Sequence, residues 1–399
     1  MTDHPDASDE FPEITKPEGI VGEEARSASP NNDVSQESVD VVPRQRRPRP
    51  ALLREGPGLR ESLGWVLGFF ALQLVFGIFF LVLYLASLFL TNPELFQAVA
   101  DSEELKDKLA GESQTFVMAA AQASLIVCCL AMTRIRWGKS WTTSLRFNGF
   151  RPIHILAVAA LIMPTQVLSQ AVYEQANYYW QMLAGELPAL SVLDKFNIVE
   201  SAPDLIKNSP LAISILIFAI APALNEEIIF RGVVGNGLMN RYGVVFSMLV
   251  ASTLFAIVHM HPVHAAAVFG LGAVIHWTYI TTRTIWAPIL LHFLNNGFAL
   301  FSTLYLGAGD SHDDASISPL LTACSLVTVG VLCLFFWKSR RYLVNEEGEK
   351  VPVNEEWKTQ PADLAKFEVR QDKPSVPVSL ITLCITLVTL YLIFKDTAS

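Results

Sequence analysis

Runs of about twenty apolar residues recur along this chain, and they leave it few ways to fold. A helix of that length spans the roughly 30 Å hydrocarbon core of a bilayer. In lipid each backbone N–H and C=O must find its partner inside the protein, and a helix meets that demand within the segment itself. About nine candidate spans can be marked, near 63–90, 115–133, 153–173, 210–230, 244–260, 265–281, 286–306, 318–337 and 376–394. Only 17% of residues are charged, against roughly 25% in soluble domains. The expected fold is therefore all-α: a polytopic membrane helical bundle of eight to nine transmembrane helices.

Four regions follow from the pattern. Residues 1–58 are polar, acidic and rich in Pro and Ser, so a disordered tail is expected there and no cleavable signal peptide. Residues 59–209 form N-terminal transmembrane helices and 210–305 a core with polar residues inside its spans. Residues 306–399 add C-terminal helices, with a polar linker at 339–374. Lys and Arg cluster between spans two and three (Arg134, Arg136, Lys139, Arg146, Arg151), after span four (Arg231, Arg241), after span six (Arg283) and within 339–374. The positive-inside rule then puts the N-terminus in the cytoplasm and the C-terminal tail outside. The net charge of −9 sits largely in tails and loops and points to no nucleic-acid partner. The five cysteines fall in apolar spans without metal-like spacing and read as packing residues, not a disulfide framework.

Three polar clusters interrupt consecutive spans. The first is Glu226-Glu227-Ile-Ile-Phe-Arg231. A carboxylate at the centre of a membrane helix costs roughly 2.5–3.5 kcal/mol on insertion scales, so two of them demand a reason. Glu227 and Arg231 are four apart and share a helical face, acid before base. Glu226, turned about 100° away, is left free to work. The second cluster is Phe255-Ala-Ile-Val-His259, with ring and imidazole on one face. Glu226 and His259 lie about equally far from the Tyr242–Gly243 turn, so an antiparallel hairpin sets them side by side. The third is His292-Phe-Leu-Asn-Asn296, in which His292 and Asn296 share a face as a pair of donors. The chemistry these types suggest is amide hydrolysis by water, with Glu226 and His259 as base and His292 and Asn296 holding the oxyanion.

Taken together, the glutamate pair with its arginine, Phe-x-x-x-His and His-x-x-x-Asn resemble the intramembrane CPBP family, which includes the type II CAAX prenyl endopeptidases. The resemblance covers roughly residues 210–305 and extends to Ala221-Pro222, Phe230-Arg231-Gly232 and Trp286-Ala-Pro-Ile-Leu-Leu-His292. It implies an intramembrane glutamic protease: Glu226 and His259 activate water, His292 and Asn296 form the oxyanion site, and Glu227, Arg231 and Phe255 support it. It also implies no cofactor, a bilayer setting, and a membrane-associated peptide or protein as substrate, with or without a lipid modification.

Other assignments stay open on sequence. Glu226, His259 and His292 could instead ligate zinc, and the same polar cluster could serve a transporter, an immunity protein or a scaffold. His261 and His264 are expected at the membrane surface, and His276 as a hydrogen-bonding residue of the bundle. One geometric conflict also stands. With straight helices His292 lies about 10 Å inside its boundary and Glu226 and His259 about 25 Å from theirs.

Overall fold

A computed structural model of the chain describes residues 56–95, 103–306, 317–358 and 366–397. All but the last three residues of the tail expected at 1–58 lie outside the described residues, as do the acidic loop 310–314 and part of the 339–374 linker. The described residues all belong to one unit, Arg49–Ser399.

Eight described helices are long and apolar enough to cross a membrane. They are α1 (Leu59–Thr91), α2 (Glu103–Trp137), α3 (Pro152–Glu186), and, after a short α4 (Ile198–Asn208), α5 (Leu211–Tyr242). Next comes α6 (Val244–Ile257), followed by three further spans: α7 (Pro262–Thr282), α8 (Trp286–Tyr305) and α9 (Pro319–Lys338). The ninth expected span is α6, which has 14 residues, about 21 Å at 1.5 Å per residue. It stops there because Pro262 starts a new helix and Met260, at φ 63, breaks the winding between them. The linker is not all helix: strands β1 (Arg341–Val344) and β2 (Glu368–Gln371) pair antiparallel around a short α10 (Val353–Lys358) before α11 (Val376–Thr397).

The span that carries the glutamate pair is among the innermost. α5 and α7 are the most buried, whereas α1 turns Leu67, Leu74, Val75 and Ile78 outward, as a lipid-facing helix should. One core cluster packs Val66 and Phe69 of α1 and Leu125 and Cys129 of α2 against Ile228–Phe230 and Phe255. A second joins α3, α7, α8 and α9 through Val158, Leu161, Ile275, Leu291, Leu332 and Phe336.

Two π-helical stretches widen α5, at Leu216–Ile220 and Ile228–Gly235, on either side of the α-helical Ala221–Glu227. Glycine makes the second one possible. A β-carbon on Gly232 would overlap the Leu145 side chain, and one on Gly235 would overlap the His276 ring and the Phe230 carbonyl. The same contacts resolve the conflict of depths. Gly232 faces Leu145 and the Ile285 side chain just before α8, so Glu227, five residues back, reaches the level of His292. From Gly232 onward α5 overhangs the start of α8 and enters a polar cap. There Asn236 Nδ2 donates to the Ser144 carbonyl at 3.0 Å and Asn354 Oδ1 accepts the Val244 N–H at 3.0 Å.

Candidate active site

Three elements meet at the motif residues: α5 supplies Glu226, Glu227 and Arg231, α6 supplies Phe255 with His259 in the turn just after it, and α8 supplies His292 and Asn296. Glu227 and Arg231 are both fully buried. Arg231 Nη1 donates to Glu227 Oε1 at 2.7 Å and Nη2 to the Gly272 carbonyl at 2.9 Å, while its guanidinium lies 4.5 Å from the Phe255 ring centre. Such a pair survives without water only because charge, hydrogen bonds and an aromatic face compensate the lost solvation together.

The same Glu227 oxygen contacts His292. Nδ1 of His292 lies 2.8 Å from Oε1, 65 residues apart in sequence. An ionised carboxylate only accepts, so Nδ1 carries the proton and donates it. Helical spacing pairs His292 with Asn296 alone and Glu227 with Arg231 alone. The structure instead makes Glu227 the common acceptor for Arg231 and His292, which fixes the ring and its orientation.

His259 is oriented by an equally unambiguous contact. Its Nδ1 lies 2.9 Å from the Phe255 carbonyl oxygen, which can only accept. Nδ1 therefore carries the proton, and in the neutral ring Nε2 is the basic nitrogen. The Phe255 ring stands between the two histidines, 5.1 Å from His259 and 5.8 Å from His292, edge to face with both.

Glu226 differs from its neighbour. It is half-buried and, among the described residues, makes no hydrogen bond or ion pair; its buried Oε2 lacks a partner there, as does Oε2 of Glu227. Among the described residues no hydrogen bond joins Glu226 to His259. The side-by-side placement expected from the hairpin is therefore not seen as a contact. Asn296 Oδ1 accepts from Asn295 Nδ2 at 3.3 Å.

Several neighbours of the site lie outside the sequence motifs. Gln122 of α2 bonds Asn225, and Gln166 of α3 bonds Asn295. Isolated amides inside apolar spans are the available signal. His261, expected at the surface, is instead buried, with Nε2 3.3 Å from Asp194 Oδ1 and its ring edge-on to Trp180. His264 packs edge-on to His259 at 4.7 Å, and His276 Nε2 lies 3.4 Å from the Ser247 hydroxyl. Among the described residues no three His, Cys, Asp or Glu side chains converge to hold a metal, and the alternative zinc set Glu226, His259 and His292 does not form one.

Comparison with known proteins matches the stretch of chain that carries these motifs. Residues 208–298 match the family model described as type II CAAX prenyl endopeptidase Rce1-like. Over 101 residues the chain is 32% identical to the putative membrane peptidase YdiL of Bacillus subtilis, covering 25% of this chain and 41% of that protein. Over 100 residues it is 29% identical to the membrane-embedded CAAX protease MroQ of Staphylococcus aureus, covering 24% and 40%. The chain thus spans about two fifths of the length of these curated relatives. No solved structure gives a significant match.

Proposed function

We propose that this chain, which through residues 208–298 belongs to the CPBP family of type II CAAX endopeptidase-like membrane proteins, is an intramembrane endopeptidase that cleaves by activated water. The observation that carries the reading is the contrast between the two glutamates. Glu227 Oε1 is taken by Arg231 and His292, whereas Glu226 makes no hydrogen bond or ion pair among the described residues; the Oε2 of each glutamate is buried without a partner there. A buried, unsatisfied carboxylate oxygen costs roughly 1–3 kcal/mol or more, and a bound water removes that cost.

In this reading the water is held by Glu226 and by Nε2 of His259, which share its proton as it attacks the scissile carbonyl carbon. Charge grows on the carbonyl oxygen, where Nε2–H of a protonated His292 and the Asn296 amide donate to it. Glu227 supports that protonated ring from the other side. The proton then passes to the leaving amine as the C–N bond breaks. No step in this sequence calls on a metal. The substrate is a membrane-associated peptide or protein; the family supports a prenylated C-terminus as the first to try. The chain crosses the membrane several times, and its basic loops support a cytoplasmic N-terminus.

The test is cleavage of prenylated and unprenylated reporter peptides by the protein reconstituted in liposomes. Glu226→Ala, His259→Ala and His292→Ala should each lower the rate by at least about a hundredfold while the protein stays inserted. Activity should survive exhaustive chelation. Full activity in Glu226→Gln, or chelation loss restored by zinc, overturns the mechanism.

A further inference from the structure

The three motifs account for which groups react, but not for what fixes the direction of the Asn296 amide. An asparagine side chain offers an oxygen at one end and an NH2 at the other, and only the NH2 can stabilise an oxyanion. The structure contains a chain of contacts that decides between them, and it starts outside the family-matched stretch.

Gln166, in the middle of α3, places Nε2 3.0 Å from the backbone oxygen of Asn295. A carbonyl oxygen only accepts, so the Gln166 end facing it must be the NH2. The same NH2 lies 3.0 Å from the side chain of Asn295, so the Asn295 atom facing it must be Oδ1. That turns Asn295 Nδ2 outward, and it donates to Asn296 Oδ1 at 3.3 Å. Asn296 thereby has its oxygen engaged, and its NH2 is left at the opposite end. Each orientation is forced by the one before it, and the first is anchored to an atom with no alternative role.

A matching contact acts on the other half of the site. Asn225, directly before Glu226, donates from Nδ2 to the Gln122 backbone oxygen at 3.3 Å and to Gln122 Oε1 at 2.9 Å. Each of the two N-terminal spans α2 and α3 thus contributes one glutamine, and each glutamine grips the asparagine next to a motif residue. Neither glutamine lies within residues 208–298.

The geometry points to Gln166 and Asn295 as positioning residues that present the Asn296 NH2 to the oxyanion, with Gln122 holding the segment that carries Glu226. This rests on the peptidase reading above. It adds that catalysis depends on spans outside the family core.

The test uses the full-length protein in liposomes. Gln166→Met removes the anchor, and Gln166→Glu keeps its shape without an NH2 to face two carbonyl oxygens. Both should lower kcat about ten- to a hundredfold with KM within about twofold and an unchanged unfolding midpoint. In an Asn296→Ala background, Gln166→Met should have no further effect, because it acts only through Asn296. An equal drop in that background, or a loss explained by the unfolding midpoint, overturns the proposal. Side-chain amide NMR separates this inference from the peptidase reading. The Asn296 NH2 pair, identified by its absence in Asn296→Ala, should shift in Gln166→Met whether or not any peptide is cleaved. An unshifted pair overturns the relay. A shifted pair in a protein whose cleavage does not depend on Glu226 upholds the relay and overturns the peptidase reading.

Discussion

Glu226 and Glu227 are neighbours with the same side chain, and their surroundings assign them different work. Glu227 is held by a cation and an imidazole on one oxygen; Glu226 makes no hydrogen bond or ion pair among the described residues. Their amide variants should therefore separate. Glu227→Gln keeps an acceptor but leaves Arg231 as a buried cation without a counter-charge, a loss expected to destabilise by about 3–5 kcal/mol. Glu226→Gln strands no partner, so the unfolding midpoint in detergent should barely move while cleavage is lost. Equal destabilisation by the two variants would contradict the division. Part of this was legible in the sequence, because the four-residue spacing of Glu227 and Arg231 already marks a pair. The His292 contact was not legible, since it links residues 65 positions apart and spacing carries no information across three turns.

At the scale of elements, α5 decides the site. Its π-helical stretch at Ile228–Gly235 follows directly on the glutamates and carries Arg231, which pairs with Glu227. π-turns commonly sit at functional positions because they re-aim side chains without ending the helix. Gly235 is what lets this one pack, with the His276 ring and the Phe230 carbonyl occupying the space of a β-carbon. Gly235→Ala should destabilise by about 1–3 kcal/mol and lower activity, as overpacking does. An unchanged unfolding midpoint with full cleavage would show that the widened winding relaxes without harm. The hydrophobic pattern revealed α5 as a span, yet not its winding, because an apolar run looks the same whether each turn holds four or five residues. That is also why straight-helix arithmetic left His292 and Glu226 at different depths. The overhang beyond Gly232 depends on contacts with Leu145 and Ile285, from a loop and a helix start that no local pattern connects to α5.

Over the whole molecule, the polar end of the bundle is closed by a segment that the sequence offered only as a linker. Trp357 of α10 is fully buried, with Arg146 4.0 Å and Arg283 5.1 Å from its ring centre and Tyr279 packed at 5.3 Å. Beside it Glu356 Oε2 accepts from Arg283 Nη1 at 2.6 Å, and Oε1 accepts the Leu343 N–H at 3.3 Å. Burial, with Arg146 adding to it, pulls the Arg283 guanidinium down to about 9. Burial pushes the Glu356 carboxyl up against the opposing pull of Arg283. Each charge is therefore held at a cost that its partner helps offset, alongside the Leu343 N–H and Arg340 for Glu356 and Tyr279 for Arg283, which is a condition under which single and double replacements diverge. Arg283→Met leaves a lone buried carboxylate and Glu356→Gln a lone buried cation, so each should destabilise by about 3–5 kcal/mol. The double variant removes both charges, and the introduced amide oxygen still accepts from the Leu343 N–H, so it should recover most of the loss. A thermal-unfolding cycle on the four proteins measures the coupling. Additive losses would mean that the two charges do not compensate each other. In that case the segment is held to the bundle by Trp357 and Asn354 without help from the ion pair.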